Sequence, residues 1–389
     1  DIIDSLTGGR LVGSVTSFEN FAECPLRYYL RYGVDLKERE EFTFSPVNFG
    51  VVLHAVIREV CDEIKKNGES YYLISEEKRR EMVKRSVAAI TDIYQNSILK
   101  DSSRNSFMIK RMEDLADRTI WAMGEQLKCG DFVPFVFEHK FNMEVGDGDR
   151  KQLMSGTIDR VDICENGTDV YVRIIDYKTG KKDFNIVKTY YGIDIQLMVY
   201  MEAAMKLVAK MRPGKNVIPA GVFYYNISDP IVSATTESAE EIEDKIKGEL
   251  RLKGMVNSDK DIAEKMDNTE GTSLNIPVSR KADGGFDSRR SKVMNTEQFN
   301  ILGRFVDVRA IDTADRIVGG DIRRSPYKDG QFSSCDRCPY GAVCGFSVDL
   351  PGCNYRKLKK FDDEVLWNNI KEGVDENGKK MDTGAEERD

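Results

Sequence analysis

No stretch of this chain approaches the run of about 18 to 20 apolar residues that a helix needs to cross a bilayer, so a membrane-spanning helix is excluded. No secretory leader is present either, and the first residue is Asp rather than Met. The start therefore reads as an excised fragment of a larger parent. Neither G-x-x-x-x-G-K-[ST] nor G-x-G-x-x-G occurs, so the chain is not expected to hydrolyse ATP by itself. Internal repeats are missing. An excess of positive charge is also missing: the net charge is −8 over 389 residues, which offers no support for a nucleic-acid groove. The sum misleads, because residues 361 to 389 carry ten acidic and four basic side chains and leave the rest near balance at −2. Histidine is nearly absent, with His54 and His139 alone.

What is present is ordinary in bulk and unusual in detail. Apolar residues make up 40% and charged residues 32%, as in a soluble chain long enough for two or three lobes. Eight cysteines without a leader point to a reducing, cytoplasmic setting, where clustered cysteines bind metal more often than they form disulfides. Cys24 stands near the start, and Cys335, Cys338 and Cys344 form a C-x2-C-x5-C cluster beginning 311 residues later.

Residues 1 to 130 read as mostly helical. Thr16 caps a first helix with Glu19 three residues on, and Pro25 bends it beside Cys24. Val52, Leu53, Val56, Ile57 and Val60 give a second helix, from about Phe49 to Lys66, its apolar stripe, and helices near 76–99 and 106–128 follow. The period then shortens. Phe132–Val145, Gln152–Cys164 and Asp169–Lys178 read as strands, joined by turns at Gly146–Asp149 and Glu165–Thr168. A helix from about Tyr191 to Lys210 and a strand Val217–Ile227 complete a core over 131–230. Residues 231–372 read as a helical insert followed by the cysteine cluster, with 239–292 the least readable stretch and a long helix at Thr296–Val318. Beyond Gly373 a polar tail over 373–389 is expected to be disordered. The fold class is α/β, a mixed sheet flanked by helices.

Asp176 and Lys178 are two apart on a strand and share a face. If the 165–168 turn closes a regular hairpin, Asp176 faces Thr157 and Asp159 is its diagonal neighbour, about 7 to 8 Å away and within reach of a shared ion. Two carboxylates at that separation suit Mg²⁺ or Mn²⁺ with places left for water and phosphate. Lys178 beside them would position or activate the attacking water and stabilise charge in the transition state. A lone D-x-K is usually a solvated strand edge. The apolar run Val170–Ile175 argues otherwise, because charge at the end of a buried strand is costly unless used or paired. His54 could add a metal ligand, although a histidine on a helix is more often structural, and Glu138 and His139 rank lower still. Gln196 and Tyr200 are four apart on a helix face, fit to hold a DNA phosphate, the Lys178 region, or a plain polar seam.

Four thiolates hold either Zn²⁺ or a [4Fe-4S] cube. Spacing alone leaves both open, and one remote ligand with three close ones favours iron–sulfur. Cys61, Cys129 and Cys164 read as core or incidental, and Cys353 lies close enough to compete for the fourth place.

Together, G-V-V-L-H (Gly50–His54), G-T-I-D-R-V-D (Gly156–Asp162), D-Y-K-T-G (Asp176–Gly180) and Q-L-M-V-Y (Gln196–Tyr200) resemble the RecB-type branch of the PD-(D/E)xK nucleases. With the four cysteines and S-F-E-N-F-A-E-C-P, the chain is similar to the C-terminal nuclease region of the AddB family, from about Val15 to Lys357. The resemblance implies a restriction-endonuclease-like core, a divalent ion (Mg²⁺ or Mn²⁺) on His54, Asp159 and Asp176, and Lys178 as catalytic lysine with Gln196 and Tyr200 behind it. It further implies a [4Fe-4S] cluster on Cys24, Cys335, Cys338 and Cys344, an AddA-type helicase–nuclease partner, and cutting of single-stranded DNA at unwound double-strand-break ends during recombinational repair. Two competing readings are a DNA-end-binding module with a vestigial nuclease and a CRISPR-associated four-cysteine exonuclease. Those exonucleases are typically shorter, and an intact Asp159, Asp176 and Lys178 argue against the vestigial case.

Overall fold

Val, Ile, Phe and Tyr concentrated between residues 133 and 226 build the centre of a mixed sheet. The computed structural model describes residues 11–37, 46–94, 103–145, 152–233 and 237–386. The expected turn at Gly146–Asp149 and the end of the helix expected over 76–99 lie outside them. Strands β1 (Val12–Ser14), β2 (Val133–Val145), β3 (Gln152–Asn166), β4 (Asp169–Lys178), β5 (Asn216–Asn226), β6 (Lys253–Asn257) and β7 (Val293–Met294) form one seven-stranded sheet. Its order is β1-β3-β4-β5-β6-β7, with β2 on the other side of β3. β4 runs antiparallel to β3 and parallel to β5. Both faces of β4 and β5 are covered, which is why each reads as a continuous apolar run rather than an alternation.

One face packs on α2 (Pro46–Lys66), α3 (Glu76–Tyr94) and α4 (Ser103–Lys128), with Val52, Leu53, Val56, Ile57 and Val60 all buried as their spacing predicts. The other face packs on α5 (Gln196–Met211), α7 (Thr296–Val318) and the start of α8 (Asp363–Glu386). Helix α6 (Ala239–Glu249) lies at the surface, closed by a Ser238–Glu241 capping box. Among the described residues no helix is long and apolar enough to cross a membrane.

Several expectations change on contact with the fold. The core is not confined to 131–230. β1 comes from the segment read as helical, and β6 and β7 come from the stretch read as an insert. These strands are two to five residues long and owe their pairing to distant partners, which local periodicity does not report. The hairpin between β3 and β4 is tighter than a four-residue turn. Asn166 pairs with Asp169 across a two-residue loop, in which Gly167 takes a φ of 60° that a side chain rarely adopts. The register therefore shifts by two residues, bringing Asp159 level with Asp176 rather than diagonal to it. The first helix, α1 (Val15–Glu23), is capped by Ser14, whose Oγ accepts from Ser17 N at 3.2 Å, and not by Thr16. Pro25 does not bend this helix. It opens a new short one, Pro25–Tyr28, and leaves Cys24 extended in the break, consistent with proline at a first helical position. Residues 373–386 of the expected tail fall in the span of α8, and 387–389 lie outside the described residues. Leu366 and Ile370 are buried and anchor the first turns of α8.

Candidate active site

On one side of β3, β1 pairs with Leu153–Ser155 and β4 pairs with Arg160–Asn166. Between them Gly156, Thr157, Ile158 and Asp159 have no strand partner on that side. The G-T-I-D motif thus sits in a gap in the sheet, where side chains can reach across. Asp159 fills part of the gap itself: its Oδ2 accepts the Tyr177 N–H at 2.6 Å, replacing a ladder hydrogen bond. Gly156 has to be glycine. A Cβ there would meet the Phe141 ring at 2.8 Å and Tyr200 at 3.0 Å, and those two rings pack edge to face at 5.6 Å.

Helix α2 brings His54 to this opening. Its Nδ1 lies 3.5 Å from Asp159 Oδ1 and 3.7 Å from Glu138 Oε1. One ligand atom from each of His54, Glu138 and Asp159 lies within 4.8 Å of the other two. Burial opposes a charge on the imidazole, but hydrogen bonds to Asp159 and Glu138 and then their charges push its pKa up to about 10. The opening therefore draws positive charge. Glu138, which ranks low on sequence alone, stands beside His54 and Asp159. Its φ is 47°, a strained value for a residue with a Cβ, and it lies between the pairs Phe137↔Arg160 and His139↔Ile158. No periodicity announces such a kink. Nor does composition, because the strand also carries His139, Lys140, Asn142 and a second acid, Glu144.

Asp176, 2% exposed, stands next to that three-residue group rather than within it. Burial, then the nearby Asp159 charge, lifts its pKa to about 6, with Lys178 pulling the other way. Lys178 Nζ is 2.5 Å from Asp176 Oδ2 and 3.0 Å from Gln196 Oε1. Gln196 Nε2 donates to Asp176 Oδ1 at 3.1 Å and to Tyr200 Oη at 3.0 Å. Gln196 thus links Lys178, Asp176 and Tyr200 by hydrogen bonds. Asp176 Oδ2 has the ion pair but no aligned hydrogen bond, an oxygen with capacity left for a cation.

The start of α5 is fixed from far away in sequence. Glu19 on α1, freed because Ser14 does the local capping, accepts from Ile195 N at 2.9 Å and Gln196 N at 3.0 Å through Oε1. Its pKa is pushed up to about 7 by burial, against the pull of Lys182. Lys182 in turn pairs with Asp194 at 3.0 Å. Behind the opening, Arg160 and Arg173 both bind Asp162, at 2.6 and 2.8 Å, with all three at most 1% exposed. These residues belong to the structure of the strands rather than to the opening.

Cys24, Cys335, Cys338 and Cys344 line one cavity with Leu26, Leu30 and Phe346. Cys353 is buried elsewhere and is not part of that lining. The thiols of Cys335 and Cys344 are raised by burial first, and further by the neighbouring sulfurs. Around the cavity a small sheet of β8 (Tyr327–Asp329), β9 (Phe332–Ser333) and β10 (Arg356–Lys357) holds the loops. Leu26 N donates to Arg323 O at 3.2 Å, Ser334 Oγ to Glu23 O at 3.3 Å and Tyr340 Oη to Leu36 O at 2.9 Å. The first helix and the last loops are thus laced together by hydrogen bonds as well as by the position of the sulfurs.

Comparison with known proteins agrees with this geometry. Residues 13–345 match the PD-(D/E)XK nuclease superfamily. The chain is 34% identical to an ATP-dependent helicase/deoxyribonuclease subunit from Lachnoclostridium phytofermentans, aligning 100% of its length with 34% of that protein. It is 33% identical to the protein of the same name from Thermoanaerobacter pseudethanolicus (95% of this chain, 33% of that protein). The corresponding protein of Clostridium acetobutylicum is 34% identical (96% and 33%). The chain spans about a third of the length of the curated relatives it matches.

Proposed function

The chain belongs to the PD-(D/E)XK nuclease superfamily, and from that membership we propose that it is the deoxyribonuclease part of an AddAB-type helicase–nuclease, cutting single-stranded DNA at unwound ends. The observation that carries this reading is the meeting of Asp159, Asp176 and Lys178 at the gap in β3, with His54 and Glu138 beside them. The names of the relatives, each part of an ATP-dependent helicase/deoxyribonuclease, support DNA as substrate and an AddA-type helicase as partner.

The donor set suits a hard divalent cation: carboxylate oxygens and one imidazole, with an Asp176 oxygen not otherwise hydrogen-bonded. His54, Asp159 and Asp176 are the proposed ligands of Mg²⁺ or Mn²⁺, and the position of Glu138 adds it to them. Such an ion supplies Lewis acidity to the phosphate and lowers the pKa of a bound water. The chain's own side chains do the rest. Lys178, held by Asp176 and Gln196, places an ammonium where negative charge grows on the phosphate oxygens. Gln196 and Tyr200 keep that ammonium from swinging away, and Glu19 keeps Gln196 in register.

Cys24, Cys335, Cys338 and Cys344 are the proposed ligands of a [4Fe-4S] cluster. The four cysteines line one cavity, and four thiolates are a donor set that suits such a cluster. Iron and acid-labile sulfide content of anaerobically purified protein tests the cluster. Degradation of labelled single-stranded DNA with Mg²⁺, compared with Asp176→Ala, tests the nuclease. Equal inertness of both proteins would favour a DNA-end-binding module.

A further inference from the structure

Just beyond Lys178 the chain turns through Thr179–Gly180 into a cleft of about 1260 Å³. One wall is α4, with Phe107 and Arg111. The stretch least readable in sequence contributes Arg251, Lys253 and Lys292 to the lining. The cleft is charged against the trend of the molecule. Seven of its lining side chains are basic and four acidic, in a chain of net charge −8.

Three of those acids are already matched: Asp114 with Lys110 at 3.1 Å, Asp183 with Lys292 at 2.5 Å, and Asp229 with Arg118 at 3.2 Å. Lys182 is matched with Asp194. Arg111, Lys181, Arg251 and Lys253 then face a single remaining acid, Glu249. The Lys253 ammonium is pushed down by burial first and by the Arg251 charge second, and Arg251 Nε is buried without a hydrogen bond. Cations crowded in this way are relieved by an anion. Between them stand exposed apolar surfaces, with Phe107 at 65% and Ile231 at 101% exposure.

We propose that this cleft leads one unpaired DNA strand to the carboxylates, and that the segment carrying β6 and β7 supplies its outer wall. The proposal rests on the nuclease reading above. Phosphates lie on Arg111, Lys181, Arg251 and Lys253. Bases lie on Phe107 and Ile231, which is possible only for an unpaired strand, because a duplex turns its base faces inward. Thr179, the residue after Lys178, lines the cleft, so a strand lying in it comes next to the catalytic group.

The test is binding, not cutting. Fluorescence anisotropy in Mg²⁺-free buffer measures the affinity of a labelled 15-nucleotide oligo(dT) over a range of salt. R251E/K253E should weaken binding on the order of ten-fold or more and reduce the salt slope by about 1.4, at roughly 0.7 per lost phosphate contact. Phe107→Ala should weaken it about five-fold or more, whereas Lys84→Glu, an exposed charge reversal on α3, should stay within about two-fold. If the charge reversals disturb folding by circular dichroism, R251Q/K253Q carries the same test in smaller steps. Variants that bind no worse than Lys84→Glu overturn the cleft, as does a duplex of equal length binding as tightly as the single strand. A wild-type protein that cuts nothing, yet loses binding in these variants, sinks the nuclease reading and leaves the cleft standing.

Discussion

The carboxylate opening and the cysteine cavity are built by opposite means. At the opening, Asp176, His54 and Tyr200 stand on a strand or helix with buried apolar flanks: Val170 to Ile175 behind Asp176, Val52, Leu53, Val56 and Ile57 around His54, Leu197 to Met201 around Tyr200. The positions are fixed before any ion arrives. At the cavity, three of the four sulfurs lie on loops or a four-residue helix turn, held by two- and three-residue strands and a few hydrogen bonds. Buried apolar contact there is slight, with Ala22, Ile193 and Tyr327 as its nucleus. On the proposed reading, the first region takes a cation for chemistry and the second takes a cluster for shape. Stability and activity should therefore separate cleanly between them.

The largest effect should come from Asp176→Asn. Nuclease activity is expected to fall on the order of 10³-fold, the several kcal/mol of charge stabilisation that an ion-binding carboxylate brings. Its melting temperature should hold or rise, since burial and Asp159 already disfavour the ionised carboxylate. A large drop in melting temperature would erase the contrast. Next is Asp162→Ala, which strands two buried guanidiniums behind the opening and should cost about 3 to 5 kcal/mol in denaturant unfolding. A cost below that of a surface substitution would mean the triad is not a structural support.

Cys335→Ala should lose bound iron and lower thermal stability by about 3 kcal/mol, since a site that binds only the folded chain adds its binding energy to folding. Full thermal stability in that variant would refute the idea that the sulfurs act as a staple. The smallest and most diagnostic effect joins the two regions. Glu19→Ala removes the cap on α5, for about 1 kcal/mol of stability, and should also slow turnover about ten-fold by loosening Gln196, equivalent to about 1.4 kcal/mol. Asn295→Ala, which removes a capping box from α7, is the control: similar melting loss, unchanged turnover. Equal turnover in the two variants would reduce Glu19 to an ordinary cap.

The opening is legible in sequence where chemistry and periodicity coincide. The apolar run Val170–Ile175 announces a buried strand, so the acid and base ending it stand out. The four-residue spacing of Gln196 and Tyr200 announces one helix face. Glu138 is not legible, because a left-handed backbone in mid-strand leaves no mark in side-chain pattern. The register of Asp159 against Asp176 depends on whether Glu165 and Asn166 belong to the turn or the strand, and composition allows either. β6 and β7 are hidden for a different reason. Strands of five and two residues gain their pairing energy from β5 and from each other, not from local propensity. Glu19 misleads because its spacing from Thr16 fits a local cap, while Ser14 has taken that duty.

The wide separation of the cysteines has a consequence for how the molecule comes into being. Cys24 leaves the ribosome 311 residues before Cys335, a delay of roughly 15 to 60 s at ordinary rates of synthesis. Throughout that interval its helix lacks both the loops that will enclose it and, until α5 emerges, the amides that Glu19 will meet. A newly made chain therefore waits with the Cys24 thiol unenclosed until the loops carrying Cys335, Cys338 and Cys344 have been made.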